Sequence, residues 1–278
     1  MDALEYFKSQ KVSESITRIF GPTGELMYLV EGSNRGVLID TGTGVGNLSE
    51  YVKQLTYKPV IVILTHGHVD HASGAPNFEE VYMNHADDEV YKEHIDFEVR
   101  KGYVKAQYKN FDNIIESDYV KQKNSSSYKD LNEGDVFDLG GISLEIYNAA
   151  GHTKGQIAVL IKEERILMTG DAANQATFLF DKYSSGITSY EKSMKDLLSK
   201  TEGKFDKIFL SHGTGDAPKE LLVNIIQLCE EIKAGNADDV PFDFMGQRAY
   251  IAKKADGNFE RIDGGVGNII YSKEKINQ

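Results

Sequence analysis

The chain is poor in cysteine. Cys229 stands alone among 278 residues, so no internal disulfide can form, which fits a reducing compartment without requiring one. Its neighbours Leu221, Leu222, Ile225, Ile226 and Leu228 are spaced as on a helix, and this predicts a packed structural thiol, not a nucleophile. Long apolar runs are missing too. No segment approaches the roughly 18 apolar residues of a membrane span, and Met1-Asp2-Ala3-Leu4-Glu5-Tyr6-Phe7-Lys8 has no apolar stretch of signal-peptide length. The expectation is a soluble, cytoplasmic protein with no membrane partner. Positive charge is scarce: 31 Lys and Arg against 43 Asp and Glu leave a net charge of −12. A field of that sign weighs against polyanions, so a small-molecule substrate is expected and a nucleic acid is not. Internal repeats and low-complexity tracts are absent.

What is present centres on Ile61-Val62-Ile63-Leu64-Thr65-His66-Gly67-His68-Val69-Asp70-His71. The β-branched run after Pro59 predicts a buried strand that stops at four ligand-type side chains, His66, His68, Asp70 and His71. Imidazole and carboxylate bind zinc and neighbouring first-row metals, and these spacings let side chains converge from both sides of a loop. The His-Glu-x-x-His helix of zinc proteases is absent. The same order, an apolar run and then a ligand, recurs three times. Ile142 to Ile146 leads to Gly151-His152-Thr153, Ile166 to Thr169 leads to Gly170-Asp171, and Ile208 to Leu210 leads to Ser211-His212-Gly213.

His-x-His-x-Asp-His, then Gly-His-Thr, Gly-Asp and Ser-His-Gly, resembles the hydrolase branch of the metallo-β-lactamase superfamily, over about the first 215 residues. The resemblance implies an α+β fold, a four-layer αββα sandwich with the metals at one edge between two sheets. It implies that His66, His68 and His152 hold one metal, that Asp70, His71 and His212 hold a second, and that Asp171 bridges them. It further implies that Asp40 supports a ligating imidazole from behind, whereas the residues alone fit a turn aspartate capping the next helix equally well.

One domain is expected over 1–278. Strands are predicted at Ser15 to Phe20, Leu26 to Val30 and Gly36 to Ile39, and a helix near Leu48 to Leu55. The glycines of Gly42-Thr43-Gly44-Val45-Gly46-Asn47 match neither phosphate-binding spacing and predict a flexible connection. Residues 86–128 are polar, with Tyr91, Phe97, Tyr103, Tyr108, Phe111 and Tyr119 spread through them. A helical insertion is expected there, because loops this long without internal structure are uncommon. It would act as a lid, although each aromatic taken singly reads better as packing. His85 and His94 carry no motif and read as surface or packing residues. An antiparallel second sheet is expected between Asp135 and Thr169, helices at Thr188 to Leu198 and Pro218 to Lys233, and a strand extension over about 248–273. A hairpin in that tail would join a sheet edge or a second copy, which leaves a homodimer open.

Two metals about 3.5 to 4 Å apart share a hydroxide formed near neutral pH. The expected function is therefore hydrolysis of a small ester, thioester or lactone by a binuclear metal centre, with Asp70 also acting on the water proton. Two zinc ions are expected; iron and manganese suit the same donors. β-Lactam hydrolysis is disfavoured, because aspartate stands where those relatives usually have cysteine, and phosphodiesterase activity stays an alternative. A persulfide dioxygenase with one iron on His66, His152 and Asp171 is another. Flavodiiron proteins fit worse, with glutamate in place of His68. A non-catalytic metal-stabilised module fits poorly, since structural zinc sites are closed and rich in cysteine.

Overall fold

The run after Pro59 forms a strand, and its position explains why it is apolar throughout. The computed structural model describes residues 5–244 and 246–278, which fall into two compact units divided between Leu144 and Glu145. In the first unit β1 (Lys8–Lys11), β2 (Ile16–Phe20), β3 (Leu26–Glu31), β4 (Gly36–Ile39), β5 (Val60–Ile63), β6 (Val81–Met83) and β7 (Lys129–Asp130) lie side by side in that order. Strands β1 to β4 form an antiparallel meander, and the pairs from β4 to β7 are parallel. β5 is flanked on both sides, with Leu38 opposite Val62 and Val62 opposite Val81. Strands in such a position read as continuous hydrophobic runs.

Because β4 and β5 are parallel, Asp40 and Thr65 leave the sheet at the same edge, and Asp40 N donates to Ile63 O at 2.9 Å. The sequence did not announce β1, whose Lys-Ser-Gln-Lys is exposed at every position. β8 (Val136–Asp138) follows β7. Helices α1 (Leu48–Leu55), α2 (Val69–Ala72), α3 (Asp88–His94) and α4 (Phe97–Gln107) complete the unit. The last two, with short 3-10 turns at Phe111–Asn113, Glu116–Asp118 and Ser125–Ser127, occupy the segment 86–128.

The loop 42–47 is not the flexible connection its glycines suggested. Residues 41–46 are buried, and Gly44, at φ +68°, lies where a Cβ would meet the Ser73 carbonyl oxygen at 2.3 Å. Its carbonyls point at an arginine: Arg100 Nη2 donates to Gly44 O at 2.9 Å and to Thr43 O at 3.3 Å, and Nη1 to Val120 O at 2.9 Å. Burial of that guanidinium lowers its pKa to about 10.

The second unit has two sheets. After β9 (Ser143–Asn148), in which the boundary falls, come β10 (Ile157–Ile161), β11 (Ile166–Gly170), β12 (Thr177–Leu179), α5 (Ile187–Thr201), β13 (Lys207–Leu210), β14 (Asp216–Pro218), α6 (Glu220–Lys233), β15 (Val240–Phe244), β16 (Gln247–Ile251) and β17 (Ile269–Tyr271). One sheet runs β14-β13-β11-β10-β9 and the other β12-β17-β16-β15. Within the stretch expected to be antiparallel, β10 and β11 are so paired, and the first sheet then continues beyond it with β11 and β13 parallel. The α5 crossover supplies the reason, since parallel neighbours need a long return path. Pro218 ends the edge strand β14, where a missing N–H is tolerated, and the helix starts at Glu220.

The expected pairing of the tail segments is present, with Tyr250 opposite Tyr271 and Ile251 opposite Ile270. β16 also pairs with β15, which the sequence reading missed. Cys229 is fully buried on α6 among Leu221, Leu222, Ile225 and Leu228. Among the described residues no helix is long and apolar enough to cross a membrane.

Candidate metal centre

Each unit carries its own cluster of ligand-type side chains. In the first, β5 delivers Thr65 and His66 to the sheet edge, and the short helix α2 turns Asp70 and His71 back toward them. His66 Nε2 lies 3.1 Å from His68 Nδ1, and His71 Nε2 lies 3.8 Å from Asp70 Oδ1. The outward-facing nitrogen of His71 is occupied. Asp40 accepts from His71 Nδ1 through Oδ2 at 2.8 Å, from Thr65 Oγ1 through the same oxygen at 2.8 Å, and from Thr65 N through Oδ1 at 2.7 Å. Thus Asp40 orients His71, as the resemblance implied, and the cap of α1 is Asn47. Asp40 adopts φ +63°, a left-handed conformation that aspartate tolerates better than most residues.

The insertion holds this loop from three sides. Asp87 Oδ2 accepts from Gly67 N at 2.9 Å, and His94 Nδ1 accepts from Val69 N at 3.2 Å while its ring stacks on His68 at 4.7 Å. Tyr103 donates its hydroxyl to Asp70 Oδ2 at 2.6 Å. Gly67 is required for the first approach, because a Cβ there would meet Val90 Cγ1 at 2.7 Å. Of the six aromatics noted in the insertion, Tyr103 is the one that bonds a candidate ligand among the described residues. Tyr91 is buried and bonds Tyr128, and Phe97 packs edge-on against Tyr119. His85 pairs with Asp88 away from the loop.

In the second unit the sheet register brings three ligands to one edge. Gly170 lies opposite Leu210 in the parallel pair, so Asp171 and His212 leave β11 and β13 together. β10 is antiparallel to β11, so the His152 loop that precedes β10 sits at the same edge. Asp171 Oδ2 stands 3.6 Å from His152 Nε2 and 3.4 Å from His212 Nε2, while its Oδ1 accepts from Asn174 at 3.2 Å. His152 Nδ1 donates to the Phe178 carbonyl at 2.8 Å, which fixes the ring tautomer and leaves Nε2 as the inner nitrogen. Buried Gly151 packs on Tyr190 so closely that a Cβ would sit 2.2 Å from Cδ2.

These spacings suit a metal. Two donors on a tetrahedral zinc, at about 2.0 to 2.1 Å each, stand about 3.3 Å apart. The four donor pairs within the two clusters lie between 3.1 and 3.8 Å. Among the described residues, the His and Asp groups close enough to hold an ion are drawn from His66, His68, Asp70, His71, His152, Asp171 and His212, the seven read from the sequence. Asp87, His94 and Tyr103 were not read as supports, and no motif marks them.

A profile of the metallo-beta-lactamase superfamily matches residues 20–212. The chain belongs to the metallo-beta-lactamase superfamily. Its fold is the α+β metallo-β-lactamase fold, as the solved relatives show. A metallo-beta-lactamase from Pontibacter korlensis is 19% identical with a TM-score of 0.60, over 80% of this chain and 97% of that one. A sec-alkylsulfatase from Pseudomonas sp. is 15% identical with a TM-score of 0.63, over 82% of this chain and 42% of that one. Among curated superfamily relatives, the human acyl-coenzyme A thioesterase MBLAC2 is 25% identical over 245 residues, 76% of this chain and 83% of that protein. An atrochrysone carboxyl ACP thioesterase from Aspergillus chevalieri is 23% identical over 173 residues, 58% of this chain and 46% of that protein. The superfamily's hydrolases and these thioesterases support an enzyme, and its metal dependence agrees with the donor set.

Proposed function

We propose that the protein is a binuclear metallo-hydrolase of thioesters, with His66, His68 and His152 holding one metal, Asp70, His71 and His212 the second, and Asp171 between them. The observation that carries this reading is the division of labour within two of the imidazoles. His71 and His152 have Nδ1 engaged by Asp40 and the Phe178 carbonyl, which leaves Nε2 of each toward a carboxylate partner. The position of Asp171 Oδ2 near both His152 and His212 supports its bridging role. Zinc suits this all-nitrogen-and-oxygen set, and the absence of cysteine from it favours open coordination over a closed structural site.

When bound, the metals supply a nucleophilic water near neutral pH and polarise the substrate carbonyl. Asp70 would take a proton from the attacking water, a role supported by Tyr103, which holds its Oδ2. Water oxygen joins the carbonyl carbon, the C–S bond breaks, and the products are a carboxylate, a thiol and one proton. A thioester is favoured among the hydrolysable acyl compounds because two of the similar proteins named above are thioesterases.

The test is a panel of acyl-coenzyme A and acyl-pantetheine thioesters, simple esters and lactones, with thiol or acid release followed after zinc loading and after metal removal. Thioester turnover that vanishes on chelation and returns with two zinc equivalents is expected. Full turnover in metal-free protein, or hydrolysis of lactones and esters alone, would reject the proposal.

A further inference from the structure

Five phenylalanines in the second unit touch one another without joining its core. Phe178 and Phe180 come from β12 and its end, Phe242 and Phe244 from alternate positions of β15, and Phe259 from the loop after β16. The Phe178 ring lies 5.3 Å from Phe180, 5.3 Å from Phe244, 6.0 Å from Phe242 and 6.4 Å from Phe259, centroid to centroid. All five keep part of their surface in water, and none belongs to the buried cluster built by β10, β11, α5 and α6. Apolar rings gathered together yet left partly in water give up burial available in the core, which makes a patch of this kind a mark of binding.

Further observations place it beside the candidate ligands of the same unit. Phe178 is the residue whose carbonyl accepts from His152 Nδ1, so the patch begins one residue's width from a proposed metal ligand. Phe259 sits at φ +63°, a backbone conformation that a bulky L residue adopts only when held there. The same ring lines a cavity of about 270 Å³ with Gln175, Leu210, Thr214 and Val266, beside the loop that carries His212. The patch thus adjoins the second unit's candidate ligands at two points, the Phe178 backbone bonded to His152 and the Phe259 cavity, whose Leu210 and Thr214 flank His212 in the chain.

We propose that the five phenylalanines form the acyl-chain subsite, so that the preferred substrates carry an extended aliphatic chain on the carbonyl side of the thioester. This rests on the hydrolase reading above. Rings offer a flat, weakly directional surface that accepts methylenes without demanding polar partners, and each methylene removed from water is worth about fourfold in kcat/KM.

The experiment compares acetyl, hexanoyl, octanoyl and palmitoyl thioesters of coenzyme A on the zinc-loaded wild type and on the double variant Phe242→Ser/Phe244→Ser. Wild-type kcat/KM should rise from acetyl to octanoyl, and the octanoyl to acetyl ratio should fall about tenfold in the variant, as expected for losing one or two buried methylenes. A ratio that stays at the wild-type value overturns the subsite. If circular dichroism shows the double variant unfolded, Phe180→Ser takes its place under the same criterion. Displacement of cis-parinaric acid by octanoic acid from the metal-free protein separates the two readings. Fatty-acid binding weakened by the substitutions, with no thioester hydrolysed, would keep the subsite and reject the reaction. Thioester hydrolysis indifferent to chain length, with no fatty acid bound, would do the reverse. Sedimentation showing a dimer that Phe242→Ser/Phe244→Ser dissociates would also overturn the proposal, since a second copy would then cover the patch.

Discussion

Replacing Asp40 by asparagine changes one atom and tests the support behind the candidate centre. The carboxylate is buried and accepts three hydrogen bonds, from Thr65 N, Thr65 Oγ1 and His71 Nδ1. Asparagine tolerates the left-handed backbone at this position, so the main chain is not the casualty. Its oxygen must stay opposite Thr65 N, which can only donate. The amide NH2 then faces His71 Nδ1, which has to accept, and the ring proton moves to Nε2, the nitrogen turned toward Asp70. A protonated Nε2 cannot ligate a metal. The alternative amide flip leaves the Thr65 N–H buried and unpaired, at about 1 to 3 kcal/mol.

Either way the metal proposed at His71 should bind about 10- to 100-fold more weakly, the usual effect of losing an outer-sphere partner. Chelator competition on metal-free protein reads this directly, and the imidazole nitrogen shifts of His71 report the tautomer. Asp40→Ala should go further and lower the stability of the metal-free protein by about 3 to 5 kcal/mol, because buried donors lose a charged acceptor and alanine resists the left-handed backbone. Two metals bound by Asp40→Asn with wild-type affinity, and an unshifted His71 spectrum, would refute the reasoning.

Four further outcomes follow from other contacts. Glu25 is completely buried, and desolvation raises its pKa above the ordinary carboxyl range; a raised folded pKa means its contribution to stability is present below the unfolded pKa and is lost as pH climbs through the folded one. Glu25→Gln should therefore match wild type in urea melts at acid pH and become the more stable protein as pH rises past that range, whereas a constant difference at every pH would contradict the assignment. Tyr103→Phe removes the 2.6 Å hydrogen bond to Asp70 and should weaken metal binding about tenfold, at about 1.5 kcal/mol for a bond to a charged group, with metal titration as the readout. Gly151→Ala drives a methyl into Tyr190 and should cost about 1 to 3 kcal/mol in denaturant melts. Cys229, buried on α6 with its thiol pKa pushed up by burial, should react with a disulfide reagent only at the rate of unfolding.

The amino-acid sequence by itself named the candidate donor set, and the His and Asp groups close enough to hold an ion among the described residues are drawn from it. Each ligand follows an apolar β-branched run, and such runs stop where the chain must meet water or a functional group, so all seven residues were legible before any coordinates. It also determined most strands and helices, since their apolar periodicity is local. Pairing was not local. The parallel partner of β11 is β13, separated from it by α5, and only the folded register shows why Asp171 and His212 leave the sheet at one edge. The same holds for the supports. Asp87, His94 and Tyr103 reach the candidate metal loop from an insertion with no motif, and Arg100 turns a glycine-rich loop from an expected flexible connection into a pinned, buried turn. Hydrogen bonds between residues far apart in the chain leave no periodic trace, so tertiary structure alone decided which side chains brace the centre and which five rings gather beside His152.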